Sequence, residues 1–372
     1  MLTFAPDQVD PAHEQRRAAA ERAQAMPVPT AQQEVWRYSR IGDLDLDRFH
    51  PVAPTTVVQS ANGYVAERHD LDTSIVHDVF DELSASFYGE TVLSIPRNTH
   101  VAGSIVVTHT SHGDNQASFP RLVIDVGENS EVTVIERFMS DGHGPALIVP
   151  RLFMRAQQAA RLTYLAINEL DKSVWQLGHQ QAVGDRDSTT LLATVALGGE
   201  YARVRTDVKV VGQGATTRQV ALYYADDTQM HDFRTLQDHV APRTTSDLLF
   251  KGAVQDTARS VYTGLIRIGH DAKGSVAYQT NRNLTLSAGA WAESVPNLEI
   301  ETNDVKCSHA STIGPIDEDQ RFYLESRGIP PETAERLVVL GFFDEVLAQL
   351  PAGPLAAELR GQVASKLDRR AR

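Results

Sequence analysis

The chain has 372 residues, of which 42% are hydrophobic and 22% charged, with a net charge of −13 and a single cysteine. This composition is ordinary for a folded soluble protein that buries a large core. The acidic balance argues against nonspecific binding to nucleic acid or to an anionic membrane, because both need a basic surface. One cysteine excludes an intramolecular disulfide and any metal site made of several cysteines. With no apolar signal core and no membrane-length apolar run, we expect a cytoplasmic protein.

Residues 1–90 are predicted to form a helical segment with short strands. The stretch "PAHEQRRAAAERAQAM" is rich in strong helix formers. Thr30 is predicted to cap a second helix over "AQQEVWRYSR", with Gln33 in the capping-box position. The runs "TTVVQ" and "GYVAER" favour strands, and "SIVHDVFDELSASF" favours a short helix.

Residues 91–313 are dominated by short apolar runs rich in Val, Thr, Ile and Tyr and bounded by Gly, Asp and Asn, which predict strands. Many runs alternate in polarity, as half-buried strands do. Strand starts recur at roughly 27 to 30 residues, near Ser130, Ala160, Thr189 and Thr216. A period of this size is typical of stacked repeats and favours a β-helix, or β-solenoid, with a β-sandwich as the alternative.

Residues 314–372 are predicted to form three helices. "DEDQRFYLESRG" has acidic residues at its front and Arg-Gly at its end, which are helix start and stop signals. "PPETAERLVVLGFFDEVLAQLP" begins with Pro331 near the first helical position and carries an apolar stripe. "PLAAELRGQVASKLDRR" follows. From periodicity alone, packing of the stripe on the β core is favoured over docking of a partner.

Motifs of a self-contained enzyme are absent from the sequence. It has no P-loop, no G-x-G-x-x-G between a strand and a helix, and no G-x-S-x-G turn. The spacing of His109 and His112 in "HTSH" is compatible with a metal site, but 13 histidines make such pairs common. We therefore assign no catalytic residue and expect that the protein is not an enzyme.

The only cysteine, Cys307, is followed two positions later by His309 in "NLEIETNDVKCSHA". In a strand both side chains would share one face, about 7 Å apart, with Lys306 and Ser308 on the other. That separation suits two ligands of one metal or cluster better than a direct thiolate–imidazole hydrogen bond. Three interpretations stay open here: a small buried hydrophobe beside an interface histidine, a ligand pair, or a Cys–His nucleophile.

Several stretches together closely resemble the SufB/SufD family of the SUF iron–sulfur cluster assembly system. The forms "DVKCSH" and "FYLESRGI" are most like the SufD branch. The resemblance covers 239–350 most strongly and extends more weakly to the N-terminus. The segments that carry it are "HVAPRTTSDLLFKGAVQDTARSVYTGLIRI" (239–268), "QTNRNLTLSAGA" (279–290), "PNLEIETNDVKCSHASTIGPIDEDQRFYLESRGI" (296–329), "GFFDEVL" (341–347) and "PTAQQEVWRYSR" (29–40).

The resemblance implies a right-handed parallel β-helix core flanked by N- and C-terminal helical segments, the latter docking an ATPase. It implies a non-catalytic scaffold that pairs with a SufB-like paralogue and binds a SufC-like ATPase. Cys307 and His309 would then be ligands of iron or of a transient iron–sulfur cluster shared with SufB, with Lys306 and Glu299 as neighbours. Docking of the ATPase would fall to the C-terminal helices, through Leu337, Leu340, Phe342, Phe343, Val346 and Leu347.

The resemblance also implies a flavin in the assembled complex, for which no residue is assigned. Because uncovered sheet edges tend to pair, we expect the isolated chain to form a homodimer. Two alternatives to the scaffold remain: a purely structural partner with an inert Cys307, and a β-helix hydrolase using a Cys/His pair.

Overall fold

The computed structural model describes residues 4–5, 8–9, 13–351 and 353–369. In these ranges the chain winds into a solenoid of about eight turns, with 47% of residues in strands. Each turn contributes one strand to each of two sheets, here called sheet A and sheet B, and the strands within the coil pair in parallel with those of the neighbouring turns. The predicted parallel β-helix is therefore confirmed. The β-sandwich alternative is wrong, since a sandwich is built from antiparallel sheets.

Each sheet is continuous along the coil in the described part of the chain. Sheet A consists of β1 (His50–Val52), β3 (Val65–Ala66), β4 (Tyr88–Ile95), β6 (Gln116–Val126), β8 (Ala146–Ile148), β9 (Arg151–Ala156), β11 (Val174–Gly184), β13 (Tyr201–Val210), β15 (Met230–His239), β17 (Arg259–Ile268) and β19 (Trp291–Ile300). Sheet B consists of β2 (Thr55–Gln59), β5 (His100–Ser111), β7 (Glu131–Ser140), β10 (Arg161–Glu169), β12 (Thr189–Ala196), β14 (Thr216–Ala225), β16 (Thr245–Val254), β18 (Ser275–Thr285) and β20 (Val305–Gly314).

The recurring spacing of strand starts is the length of one turn of the coil. Arg161 pairs with Thr189, Thr189 with Thr216, and Thr216 with Thr245. Paired residues of parallel strands point to the same face of the sheet. Each inward side chain therefore stacks on the inward side chain of the next turn.

The N-terminal helices, α1 (Glu14–Ala25) and α2 (Val79–Phe87), lie at the N-terminal end of the coil, where α2 packs on β4 and β6 of sheet A. Both were predicted, but the helix predicted over "AQQEVWRYSR" is wrong. Only a short 3-10 turn, Glu34–Trp36, forms there. The indole of Trp36 is buried 5.6 Å from the ring of Phe80, and Tyr38 has a φ of 65°, which an α-helix does not allow.

The three predicted C-terminal helices are present as α3 (Glu318–Ser326), α4 (Pro331–Leu347) and α5 (Gly353–Arg369). The Asp317 carboxylate caps α3 by accepting from two backbone amides of its first turn. Helices α4 and α5 cover the outer face of sheet B, where Val339, Phe343 and Val363 join one apolar cluster with Leu222. Across the described ranges, no helix is both long and apolar enough to span a bilayer.

The interior of the coil changes character along its length. The early turns are filled by aliphatic side chains such as Ile105 and Val134. Later turns hold an aromatic cluster that includes Tyr223 and Tyr262. On β18 three successive inward positions carry amides, Gln279, Asn281 and Asn283, and Asn281 donates to the Tyr223 hydroxyl at 2.9 Å. The coil interior is therefore polar next to its last turn.

Candidate functional site

Cys307 and His309 lie on the last strand of sheet B, at the C-terminal end of the coil. In the described chain, the outer edge of β20 pairs with no other strand. Cys307 is in register with buried Ala277, and His309 is in register with buried Gln279. Both side chains therefore face the coil axis. Cys307 is half-buried against a small apolar cluster, whereas His309 is exposed.

The stretch "NLEIETNDVKCSHA" forms two strands in different sheets, because β19 ends at Ile300 and β20 begins at Val305. Glu299 lies on the outer face of sheet A, with its carboxylate 3.8 Å from Arg267 Nε. Lys306 is exposed on the outward face of β20. The structure thus brings Cys307 and His309 to one face and separates Lys306 and Glu299 from them.

The thiol of Cys307 is not activated in the isolated chain. Burial raises the pKa of the Cys307 thiol, so that it stays protonated at neutral pH. A nucleophilic cysteine needs the opposite shift, usually from a nearby cation. A metal ion would supply that charge and displace the proton, which favours the ligand interpretation over the nucleophile.

A buried amide that the sequence analysis missed lies one turn below His309. Gln279 is 1% exposed, and neither polar atom of its side chain has a hydrogen-bond partner in the described structure. A methyl group at Gly264 would clash with this amide and with the hydroxyl of Tyr262, so the amide fills its space closely. The alternation of amides in "QTNRN" was the available signal, because polar residues at inward positions of a coil are unusual.

Apolar side chains are exposed around this end of the coil. Leu298, Ile300 and Ile313 occupy inward positions but are 37%, 42% and 41% exposed. One turn earlier, Ile268 stands at the position equivalent to Ile300 and is fully buried. The exposure arises because no further turn of the described chain covers these positions. An open apolar end beside two free strand edges is typical of a binding surface.

The stripe predicted to dock a partner is largely occupied by the chain itself. Leu340, Phe343, Val346 and Leu347 are buried in the apolar cluster between α4 and sheet B. Leu337 is 43% exposed and Phe342 is half-buried. The accessible part of this region is therefore smaller than the stripe.

Two aromatic side chains beside that stripe were not predicted from the sequence to take part in docking. Phe322 and Tyr323 on α3 are 71% and 57% exposed. Tyr323 borders a hollow of about 810 Å³ between α3 and α4, which Leu337 and Phe342 also line. Adjacent aromatic residues in an otherwise polar helix were the signal that could have identified this surface.

The two histidines of "HTSH" do not converge on one site. His109 is buried, with its ring nitrogens 2.9 Å from Thr56 Oγ1 and 2.9 Å from Glu136 Oε1. His112 is exposed, and its ring contacts Thr55 and Asp141. The compatible spacing in the sequence is therefore not realised as a shared metal site.

These features define a class of protein: a parallel β-helix with helical layers at both termini and a thiol–imidazole pair at an open, apolar end. Residues 108–342 match the family described as "SUF system FeS cluster assembly, SufBD core domain". The chain belongs to the SufBD family, which implies a role in iron–sulfur cluster assembly. The predicted family resemblance is thereby confirmed.

Curated relatives share most of the chain. An iron–sulfur cluster assembly SufBD family protein of Mycobacterium tuberculosis is 32% identical over 367 residues, covering 92% of this chain and 90% of the relative. The iron–sulfur cluster assembly protein SufD of Escherichia coli is 28% identical over 306 residues, covering 81% of this chain and 72% of the relative. SufD of Bacillus subtilis is 28% identical over 284 residues, covering 75% of this chain and 64% of the relative.

Proposed function

We propose that this chain is a SufD-like, non-catalytic scaffold subunit of an iron–sulfur cluster assembly complex. It pairs with a SufB-like paralogue at the open end of the coil and binds a SufC-like ATPase through its C-terminal helices. The observation that carries the proposal is the location of Cys307 and His309 on one face of β20, beside an unpaired edge and exposed apolar side chains. The similarity to two proteins named SufD supports it.

Cys307 and His309 would hold iron or a nascent cluster as cargo at the interface of the two subunits. Thiolate and imidazole both ligate the iron of such clusters. Two ligands do not complete the coordination of a cluster, so the paralogue supplies the others. Because the thiol is protonated in the isolated chain, the ligand forms only when metal arrives. A flavin would also be bound in the assembled complex, and no residue of this chain is assigned to it.

The hollow between α3 and α4 is the proposed docking place for the ATPase, through Tyr323, Leu337 and Phe342. Helix α4 is fastened to sheet B by its buried stripe, and Lys251 on β16 donates to the Phe342 carbonyl at 2.8 Å. Movement of the ATPase would therefore displace α4 together with the coil rather than alone. Through this coupling, the movement driven by nucleotide hydrolysis would be transmitted to the open end of the coil.

The test is cluster formation in the complex reconstituted with the SufB-like paralogue and the SufC-like ATPase. Replacing both proposed ligands, Cys307→Ala with His309→Ala, should lower the iron and sulfide bound per complex, because disturbing even the outer shell of a metal site costs about tenfold or more in affinity. The matched control is Lys306→Ala with Ser308→Ala, on the opposite face of the same strand. The control should retain the cluster yield.

The outcomes separate the alternatives. An unchanged cluster yield in the Cys307/His309 variant would show that the chain is a structural partner with an inert cysteine. Substrate turnover by the isolated chain that is abolished by thiol alkylation would instead support a Cys/His hydrolase, and the scaffold proposal would be wrong.

A further inference from the structure

Two exposed aromatic rings meet at the start of β19, the strand whose outer edge is unpaired in the described chain. Trp291 is the first residue of β19, and its ring centroid is 6.4 Å from that of Tyr38 in the N-terminal layer. The two side chains are 37% and 39% exposed. Trp291 points to the outer face of sheet A, since the next residue, Ala292, is buried in the coil. Exposed rings that contact each other beside a free strand edge indicate an interface with another protein.

The backbone of Tyr38 is held in a conformation that disfavours a large side chain. Its φ of 65° lies in the left-handed region, which glycine and asparagine occupy readily but tyrosine rarely does. The flanking residues impose this turn, because Trp36 and Ile41 are buried on either side of it. Within the turn, Ser39 Oγ donates to the Trp36 carbonyl at 2.6 Å. Strain of this kind persists only where the surroundings enforce it, and it is concentrated at functional sites. A tyrosine at a position suited to asparagine therefore indicates a role for the exposed ring.

The hydrogen bonds that the free edge of β19 can offer are incomplete. The backbone amide of Trp291 donates to the Ala258 carbonyl and therefore points toward β17. The amide of Glu301, another odd-numbered residue, also points toward β17, where it donates to Ile268. Because amides alternate in direction along a strand, those of the even-numbered residues point to the free edge. Pro296 occupies one of these positions and has no N–H to donate. Backbone pairing is thus interrupted in the middle of the edge, and side-chain contacts at its two ends become more important.

The size of a stable interface also favours a contact that extends beyond the open end. The edge strands β19 and β20 have ten residues each, whereas a stable interface takes in about 20 to 30 residues on each side. Ile300, which is exposed at the open end, lies about 30 Å along β19 from Trp291. A partner that follows the whole edge therefore reaches both ends of the strand. Contact with Trp291 and Tyr38 adds the N-terminal layer to the surface of the two edges.

Two arginines complete the composition of this surface. Arg259 is in register with Trp291 on the outer face of sheet A, and both side chains are exposed. The Arg37 guanidinium lies over the ring of Tyr38, 5.2 Å from its centroid, and Arg37 is also exposed. Tryptophan, tyrosine and arginine are the residue types that most often contribute the largest share of binding energy at protein interfaces.

We propose that Tyr38 and Trp291, flanked by Arg37 and Arg259, form a contact site for the SufB-like paralogue at the N-terminal end of the free β19 edge. The inference rests on the proposed function, because it assumes that the paralogue pairs at this end of the coil. It adds a second anchor, at the N-terminal layer, to the apolar anchor around Ile300. The partner surface that fits is an apolar strip with carboxylate or carbonyl groups that accept from the two guanidinium groups.

The experiment measures the Kd of the full chain for the immobilised paralogue, together with the melting temperature of each variant. Tyr38→Asn removes the ring and leaves a residue that accepts the left-handed backbone. Combined with Trp291→Ala, it should raise the Kd about thirtyfold, the scale of an interface hot spot. The melting temperature of Tyr38→Asn alone should not fall below that of the parent, because the substitution relieves backbone strain.

The matched control is Phe322→Ala, which removes a ring that is 71% exposed on α3 and should leave the Kd unchanged. If the parent pairs with the paralogue and the double variant keeps the same Kd, this inference is wrong while the proposed function stands. If the parent does not pair at all, the proposed function is wrong and the inference is wrong with it. A raised Kd together with a lower melting temperature in Tyr38→Asn would show that the ring is structural, and this result would also overturn the inference.

Discussion

Inside the coil, the imidazole of His239 is held between two hydroxyl groups. Its Nδ1 lies 2.7 Å from Thr244 Oγ1 and its Nε2 lies 2.8 Å from Ser246 Oγ. Burial lowers the pKa of His239 to about 4, because the charged form loses its hydration. In the unfolded chain the pKa is about 6.5, so between pH 6.5 and 4 the unfolded state binds more protons.

It follows that the free energy of unfolding rises with pH across this window and that the contribution of His239 is lost as the pH falls. Lowering the pH from 7.5 to 5 should cost about 2 kcal/mol through this residue alone. In His239→Gln the loss between these two pH values, measured by urea unfolding, should be smaller by that amount. His270→Gln, on an exposed turn, should keep the full loss. An identical pH dependence in His239→Gln would show that the buried imidazole is not the titrating group.

Among the secondary-structure elements, α5 is joined to the coil by a buried lysine in addition to its apolar contacts with sheet B. Lys366 is 4% exposed, and its Nζ is 2.8 Å from Asp226 Oδ1 and 2.6 Å from the Leu197 carbonyl. Lys172 also contacts the Asp226 carboxylate, at 3.0 Å. The lysine thus links the last helix to the ends of β12 and β14.

Replacing Lys366 with methionine should destabilise the protein by about 3 kcal/mol, because Asp226 stays buried with Lys172 as its remaining cation. Hydrogen exchange should increase in α5 before the coil is affected. The control is Arg360→Met on the same helix, which breaks an exposed pair with Asp344 and should cost less than about 1 kcal/mol. Equal losses for both variants would mean that the buried pair does not fasten α5.

The strands of the coil were predictable because each turn repeats the same alternation at nearly the same spacing. The helix predicted after Thr30 failed because Trp36 is drawn into a tertiary pocket, which local propensity does not reveal. The alternating run around Cys307 predicted the shared face of Cys307 and His309, yet it hid the crossing from sheet A to sheet B. The contacts of His77, His179 and Arg205 with Asp207 could not be predicted, since they join residues from distant segments of the chain.

At the scale of the whole molecule, the coil is covered at its sides and open at its C-terminal end. Helices α4 and α5 shield sheet B, and the N-terminal layer shields part of sheet A. At the open end, β19 and β20 leave two edges unpaired in the described chain, with Ile300 and Ile313 exposed between them. Free parallel edges beside apolar side chains favour pairing with another chain of the same kind.

We therefore expect the isolated chain to form a homodimer through this end. When the SufB-like paralogue is present, it should replace the second copy of the chain. Ile300→Lys with Ile313→Lys should give a monomer by native mass spectrometry and abolish pairing with the paralogue, because lysine at a strand edge opposes pairing. Binding of the SufC-like ATPase should persist, since α3 and α4 are unchanged. Val57→Lys is the control, since it places the same charge on the edge strand β2 at the other end of sheet B. A dimer that survives in the double variant but is lost in Val57→Lys would assign the interface to the N-terminal end, and the iron site proposed on β20 would then lack its partner.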